Sequence, residues 1–401
     1  MKKNNRARFG AFLTAIFMMF SASGCRPADP EKSNKKDETK DNGNIVLPWE
    51  KDETEAPETN AQVIETEGPA VETDPPQTEL PQTEPIGDRP APVLYSQSGE
   101  YYDYGGGIIR VDNMAFEEYG YEEPAAVMYS GLINSVAKQL SGRTSVYCMA
   151  LPTAIGIVLP DDIQKIFPRY TNQGEAINKL YAKMSDDVIT VDCYSNLIQH
   201  RGEYLYFRTD FHWNGPAAYY AYEAFCEMKG VKPYTLSERE KVEFDGFLGA
   251  LYRNSCGEDP ILGNTPDTVI AYKPYSRTAS MELTDRQGNT MAWSIIADVS
   301  SWGSASKYST FAGGDSPLAV FTNPEVKDGS VCVIVKESYG NALLPYLVDH
   351  YSTVYEIDYR YWDGNIVDFV NEKKADDLIF ANNMSMLRSV YLIGMLEEII
   401  K

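Results

Sequence analysis

Only three histidines occur in 401 residues, and one of them has a carboxylate close by. His212 lies in Arg208-Thr209-Asp210-Phe211-His212-Trp213-Asn214-Gly215-Pro216. In an extended segment, residues two apart point to the same side. Asp210 would then accept a hydrogen bond from the imidazole, fix its tautomer and stabilise its cation, as a general base requires. The alternative is a histidine that caps or fills space beside the helix that follows. A second candidate is Ser338. The apolar run Val331-Cys332-Val333-Ile334-Val335 reads as a buried strand, and Lys336-Glu337-Ser338-Tyr339-Gly340-Asn341 leads from it into an apolar, helix-like segment from Ala342 to Val348. A serine on a strand-to-helix turn can present its hydroxyl at the top of a sheet, where amides opening the next helix can hold an oxyanion. Alternatively, Ser338 is an N-cap and Gly340 a turn residue.

The other reactive residues suggest less. His200 and His350 flank loops and read as surface or boundary residues. Pro152-Thr153 ends a strand and either lines a pocket or simply turns. Asp210, His212 and one distant carboxylate are too few ligands for a metal. Cys148, Cys193, Cys226, Cys256 and Cys332 show no CxxC or His–Cys spacing, so neither a metal nor another cofactor is expected. Cys148, Cys193 and Cys332 fall in apolar, strand-like runs and Cys226 on the apolar side of a helix, so they read as small buried hydrophobes without a disulfide framework.

These residues need a scaffold. Short apolar runs bounded by turn signals predict strands over Ser145 to Leu151, Val188 to Cys193, Val331 to Val335, Val354 to Ile357 and Leu378 to Ala381. Helices are expected over Ala126 to Leu140, Pro216 to Lys229 and Ser385 to Ile400. Pro216 suits a first turn, Gly230 a stop, and Ala217, Tyr220, Ala221, Ala224, Phe225 and Met228 recur at helical spacing. Met281 to Trp302 reads as a β-hairpin turning at Asp285-Arg286-Gln287-Gly288-Asn289. Alternation of strands and helices predicts an α/β domain with a mostly parallel sheet and helices on both faces. Chemistry then belongs at the carboxyl ends of its strands.

The N-terminal quarter has another character. Lys2, Lys3, Arg6 and Arg8 precede a short apolar run from Phe9 to Phe20, then Ser21-Ala22-Ser23-Gly24-Cys25. This reads as a secretory signal over residues 1–24. It resembles a bacterial lipobox with Ala22 where leucine is usual, which implies a lipid on Cys25 and attachment to the outer face of the cell membrane. Residues 25–93 are rich in Glu, Asp, Thr and Pro, with few aromatics, and read as a disordered, extended tether. The working domain is expected over 94–401. The formal net charge of -22 argues against a nucleic-acid partner.

The segment Asp210 to Trp213 resembles the signature of the bacterial DHHW protein family. Lys307 to Asp315 is similar to its middle block. Glu337-Ser338-Tyr339-Gly340-Asn341, with Pro345 and Val354 to Tyr361, is similar to its C-terminal block. Phe211 stands where the family motif has its first histidine. Asp315 follows Gly313-Gly314 where an asparagine is expected. The family in turn resembles the SGNH-hydrolase-like domains of alginate O-acetyltransferases. That implies a three-layer, flavodoxin-like α/β fold with insertions, with Ser338 as nucleophile, His212 as general base and Asp210 as its orienting carboxylate. Arg208, Trp213, Gly314, Asp315, Tyr339 and Asn341 become oxyanion or pocket candidates, with Asn341 or backbone amides replacing the missing asparagine. The implied activity is a cell-surface serine esterase or O-acyltransferase acting on acetyl esters of a polysaccharide or peptidoglycan, with acyl groups supplied by a membrane partner. A catalytically silent glycan-binding or structural module on the same fold is the alternative. The chain holds 28 tyrosines, whose rings can stack on sugars or fill half-buried sites.

Overall fold

The computed structural model describes residues 101–401. The expected secretory signal, lipid site at Cys25, tether and boundary near residue 94 lie outside the described residues. Thirteen strands are described, in three sheets. Strands β1 (Tyr102–Gly105), β2 (Ile108–Val111) and β3 (Met114–Glu117) form one antiparallel sheet. The central sheet has eight strands. Its parallel part comprises β5 (Val188–Thr190), β4 (Ser145–Leu151), β13 (Asp377–Asn383), β11 (Val331–Lys336) and β12 (Thr353–Asp358). β10 (Leu318–Thr322), β8 (Ser280–Thr284) and β9 (Thr290–Trp293) add antiparallel to one edge. β6 (Lys241–Phe247) and β7 (Asp267–Tyr272) form a two-stranded antiparallel sheet. The architecture is mixed α/β with a large, mostly parallel sheet, as the alternation of apolar runs and helical patterns predicts.

The central strands read as continuous apolar runs because both faces are covered. All seven residues of β13 are buried, as are five of the six in β11. The helix Gly215–Lys229 begins where the Asn214 side chain accepts from the Gly215 amide, and it ends at Gly230 in the left-handed region, φ 75°. Gly215 is obligatory because a Cβ there would lie 2.3 Å from the Ile270 carbonyl oxygen.

Some expectations change. Cys193 lies in no strand: β5 stops at Thr190, and Asp192 caps a helix over Cys193–Gln199 by accepting from the Ser195 amide. The C-terminal helix is shorter than Ser385 to Ile400 and runs Val390–Glu398, because Ser389 caps it and Met386–Arg388 forms a tighter turn first. The segment after Ser338 is no continuous helix but the short turns Ser338–Ala342, Leu344–Leu347 and Val348–His350. The hairpin near residue 285 forms with the Asp285 side chain accepting amides of Gln287 and Asn289, but its strands end at Trp293. The five cysteines among the described residues are free and buried.

The sheet also carries buried charge. Lys336, last in β11, is fully buried with its Nζ 2.6 Å from Glu356 and 3.6 Å from Asp358 on β12. Arg360 grips Asp358 through Nε at 2.8 Å and Nη2 at 2.5 Å, and reaches Asp315 at 2.8 Å. Burial pushes the Glu356 carboxyl up to about 7 against the pull of Lys336. Removing one member of such a cluster leaves an uncompensated buried charge. Lys336→Met is expected to cost about 3–5 kcal/mol of stability, read as a lower urea midpoint.

Candidate active site

The stretch Leu205–Asn214 folds back on itself. Tyr206 bridges Trp213, and the Asn214 amide donates to the Leu205 carbonyl at 2.8 Å. Asp210, Phe211 and His212 form its tip. The contact between Asp210 and His212 does not come from extended backbone. The segment bends, and Asp210 Oδ1 accepts from both the His212 amide at 2.9 Å and the His212 ring Nδ1 at 2.6 Å, an Asx-type turn. Asp210 Oδ2 accepts from the Ala250 amide at 2.6 Å. Burial pushes the Asp210 carboxyl up, but His212 and these two amides more than offset it and hold the group below the usual carboxylate range. An ionised Asp210 only accepts, so Nδ1 carries the ring proton and Nε2 is left to accept.

Nε2 meets Ser338. Its distance to Ser338 Oγ is 2.7 Å, so the serine hydroxyl donates to the imidazole. Ser338 sits just past the carboxyl end of β11, on the first residue of the turn Ser338–Ala342. Residues 126 positions apart are held in register by further contacts. Trp213 Nε1 donates to the Tyr339 carbonyl at 2.9 Å, and the Tyr339 hydroxyl donates to the Phe211 carbonyl. The Tyr308 ring stacks on His212, centroids 4.0 Å apart, while its hydroxyl donates to the Ser338 carbonyl at 3.0 Å. The Glu337 carboxylate caps the turn through the Tyr339 amide at 3.0 Å and ties it to β13 through the Asn383 amide at 2.8 Å.

The other candidates scatter. Trp213 and Tyr339 are buried and brace the two segments instead of lining open space. The Arg208 side chain turns to Asp267, 3.5 Å away, and lies over the Tyr204 ring. Two amides of the turn are not left for an oxyanion: Tyr339 N–H goes to the Glu337 side chain, and Gly340 N–H to the Glu337 carbonyl. Gly314 N–H goes to the Phe311 carbonyl, in a run with Ala312, Gly313 and Gly314 all at positive φ. Asn341 and Asp315 bind each other: Asn341 Nδ2 donates to Asp315 at 3.0 Å, while Lys336 holds Asn341 Oδ1 at 2.5 Å. Although burial raises it, Arg360 and Lys336 keep Asp315 well below the ordinary range. His200 pairs with Glu203 at 2.8 Å, and His350 with the Tyr222 hydroxyl at 2.6 Å. Burial, Arg239 and Lys229 push the His350 ring down to about 4. Thr153 is buried against Gln173. Among the described residues no cluster of His, Cys, Asp and Glu could hold a metal.

Sequence reasoning passed over three supports. Asp267, fully buried, accepts from the amides of Arg208 and Thr209 at 2.9 and 2.8 Å and from the Thr209 hydroxyl at 2.5 Å. Thr209 in turn accepts from the Gly249 amide at 3.0 Å. Gly249 must lack a side chain, since a Cβ would lie 2.2 Å from that of Asp210. None of these has a local sequence signal, because the hydrogen bonds that tie them to one another span at least 40 residues.

The sequence profile of the DHHW protein family matches residues 92–357. No curated protein matches the chain. Among solved structures, a DHHW family protein from Eubacterium siraeum is 29% identical, with a TM-score of 0.65, over 78% of this chain and 100% of that one. PatB1 of Bacillus cereus, in a structure with a sulfonyl adduct, is 17% identical with a TM-score of 0.61, over 71% of this chain and 97% of that one. A second PatB1 structure gives 17% and 0.59, over 71% and 98%. At that identity the likeness to PatB1 is one of fold.

The short Nδ1–Oδ1 contact is expected to give a strongly deshielded imidazole N–H proton resonance. Gly249→Ala should abolish that resonance while costing about 1–3 kcal/mol by overpacking. A resonance unchanged in the variant would show that Gly249 does not set the position of Asp210.

Proposed function

This chain belongs to the DHHW protein family, and from that premise we propose that it is a serine-dependent acyl-transfer enzyme of the cell surface, with an SGNH-like, three-layer fold. The observation that carries the reading is the pair of contacts on one ring: His212 Nε2 to Ser338 Oγ at 2.7 Å and Nδ1 to Asp210 at 2.6 Å. Ser338 Oγ attacks the carbonyl carbon of an ester while His212 Nε2 takes its proton. Asp210 stabilises the resulting imidazolium. Collapse of the tetrahedral intermediate breaks the ester bond, and His212 returns the proton to the departing alcohol. A second hydroxyl, deprotonated by His212, then attacks the acyl-serine; the bond from the acyl carbon to Ser338 Oγ breaks, and His212 returns the proton to Oγ. Water makes the protein an esterase, and a glycan hydroxyl makes it a transferase.

Oxyanion stabilisation falls to the Ser338 amide, at the first position of its turn, and to the second N–H of Asn341 Nδ2. Asp315 would act by orienting that amide, not by donating. The crowding of Phe211, Tyr308 and Tyr339 around His212 suits a small acyl group, and we assign acetyl. We assign a carbohydrate ester, of cell-surface polysaccharide or peptidoglycan, as substrate, and a membrane protein as acyl source. One observation favours a second reading, a silent glycan-binding module: the ionised Asp315 is bound to the very amide that would serve the oxyanion.

The sulfonyl adduct carried by PatB1 suggests the decisive reagent. Phenylmethylsulfonyl fluoride is expected to label the full chain at Ser338, located by peptide mapping. Ser338→Ala should take no label there, and His212→Ala should slow labelling about 10²–10⁴-fold. Wild type that stays unlabelled, and releases no chromophore from a chromogenic acetate ester, would favour the silent module. For the anchor, Cys25→Ala is expected to move the protein from the membrane fraction to the soluble one. Unchanged membrane retention would refute attachment through Cys25.

A further inference from the structure

The segment Gly249–Pro260 does two things. Its start fixes Asp210 through the Ala250 amide and the missing side chain of Gly249. Leu251–Ser255 then forms a π-helical turn, a rare form often found at functional sites. Gly257 and Glu258 follow in the left-handed region, both at φ 57°. For Glu258 that conformation is strained and persists only where its surroundings impose it. The strained end of the segment forms one wall of an open cleft of about 500 Å³, faced by Tyr102 and Tyr104 of β1.

The chemistry of the cleft is aromatic, polar and balanced in charge. Tyr102 is 54% exposed, with its ring edge-on to Tyr104 at 4.7 Å. The Arg110 guanidinium lies 5.8 Å from the Tyr102 ring centroid and donates to Asp259 at 3.1 Å. The Tyr104 hydroxyl also donates to Asp259. These groups hold one another in place before a ligand arrives, which lowers the ordering cost of binding. Burial pushes the Cys256 thiol up to about 12, away from the thiolate. Beneath it, Leu251, Cys256 and Leu262 form an apolar cluster against which Phe211 packs. The Phe211 ring is 4.2 Å from that of His212. Phe211 therefore links the apolar cluster that carries Cys256 to His212.

We propose that this cleft is a sugar-binding subsite, which seats one ring of a neutral oligosaccharide on Tyr102 while a neighbouring part of the glycan lies at Ser338. The proposal rests on the carbohydrate reading given above. A flat exposed ring beside fixed hydrogen-bonding groups matches the apolar face and hydroxyl rim of a pyranose. Arg110 is already paired with Asp259, and the chain carries a net charge of -22. Both disfavour an anionic glycan.

The test uses the full chain carrying Ser338→Ala, so that nothing is turned over. Tetramers of N-acetylglucosamine and of glucose are titrated by calorimetry, with hydrogen exchange followed in residues 101–105 and 255–260. Saturable binding of at least one tetramer is expected, with slowed exchange in both segments. Tyr102→Ala should weaken it about three- to tenfold, whereas Tyr102→Phe, which keeps the ring, should bind as before. Neither tetramer binding at millimolar concentration, or binding indifferent to Tyr102→Ala, would overturn the proposal. Sulfonyl labelling of Ser338 reports separately on the acyl-transfer reading. Label without oligosaccharide binding sinks the subsite alone, and binding without label sinks the chemistry alone.

Discussion

Asp210 is a carboxylate almost out of water, and an isolated one there would take up a proton sooner than stay charged. Three contacts prevent this: the His212 amide, the Ala250 amide and the His212 ring. Each makes a demand elsewhere. The Ala250 amide can approach only because Gly249 has no side chain. The Gly249 amide is held by Thr209, and Thr209 by the buried Asp267 at the start of β7. The two-stranded β6–β7 sheet is thus a support for one charge, and the tautomer of His212 follows from it.

Ser338 depends on a different part of the molecule. Its turn grows from β11, the strand flanked by β12 and β13 in the parallel part of the sheet. The carboxyl ends of these strands bring together Lys336, Asp358 and Arg360, with Asp315 and Asn341 drawn in from neighbouring loops. Such a cluster is weak evidence for net stability, since apolar residues often do as well in its place. What it does fix is orientation. Asn341 cannot rotate with Lys336 on its oxygen and Asp315 on its nitrogen. The two halves of the site are then stitched by Trp213, Tyr308 and Tyr339, whose polar atoms all meet backbone carbonyls. A backbone partner makes these links independent of any further side chain.

The Gly249–Pro260 segment connects chemistry to surface. It reaches Asp210 at one end and the tyrosine-lined cleft at the other. Phe211, the departure from the family motif, lies between the two and replaces a titratable ring with an apolar one.

Much was legible in sequence. The strands Ser145 to Leu151 and Val331 to Val335 stood out because a parallel sheet buries both faces, so its strands need unbroken apolar runs. The helix after Gly215 declared itself through Pro216 and Gly230, local chemistry that needs no partner. The motif residues Asp210, His212 and Ser338 were candidates by type and position. What the sequence could not decide was anything that depended on distant backbone. It placed Cys193 in a strand, because an apolar run does not reveal that Asp192 will cap a helix. It took Asp210 and His212 for extended neighbours, when a bend puts both contacts on one oxygen. It offered Asn341 and Asp315 as separate oxyanion or pocket candidates, when they bind each other. It gave no hint of Gly249 or Asp267. Periodicity and capping are written within a few residues and survive in the one-dimensional record. Hydrogen bonds spanning 40 to 126 positions exist only once the chain has closed, and that closure decided which charges meet, which amides are spent and which ring reaches the serine.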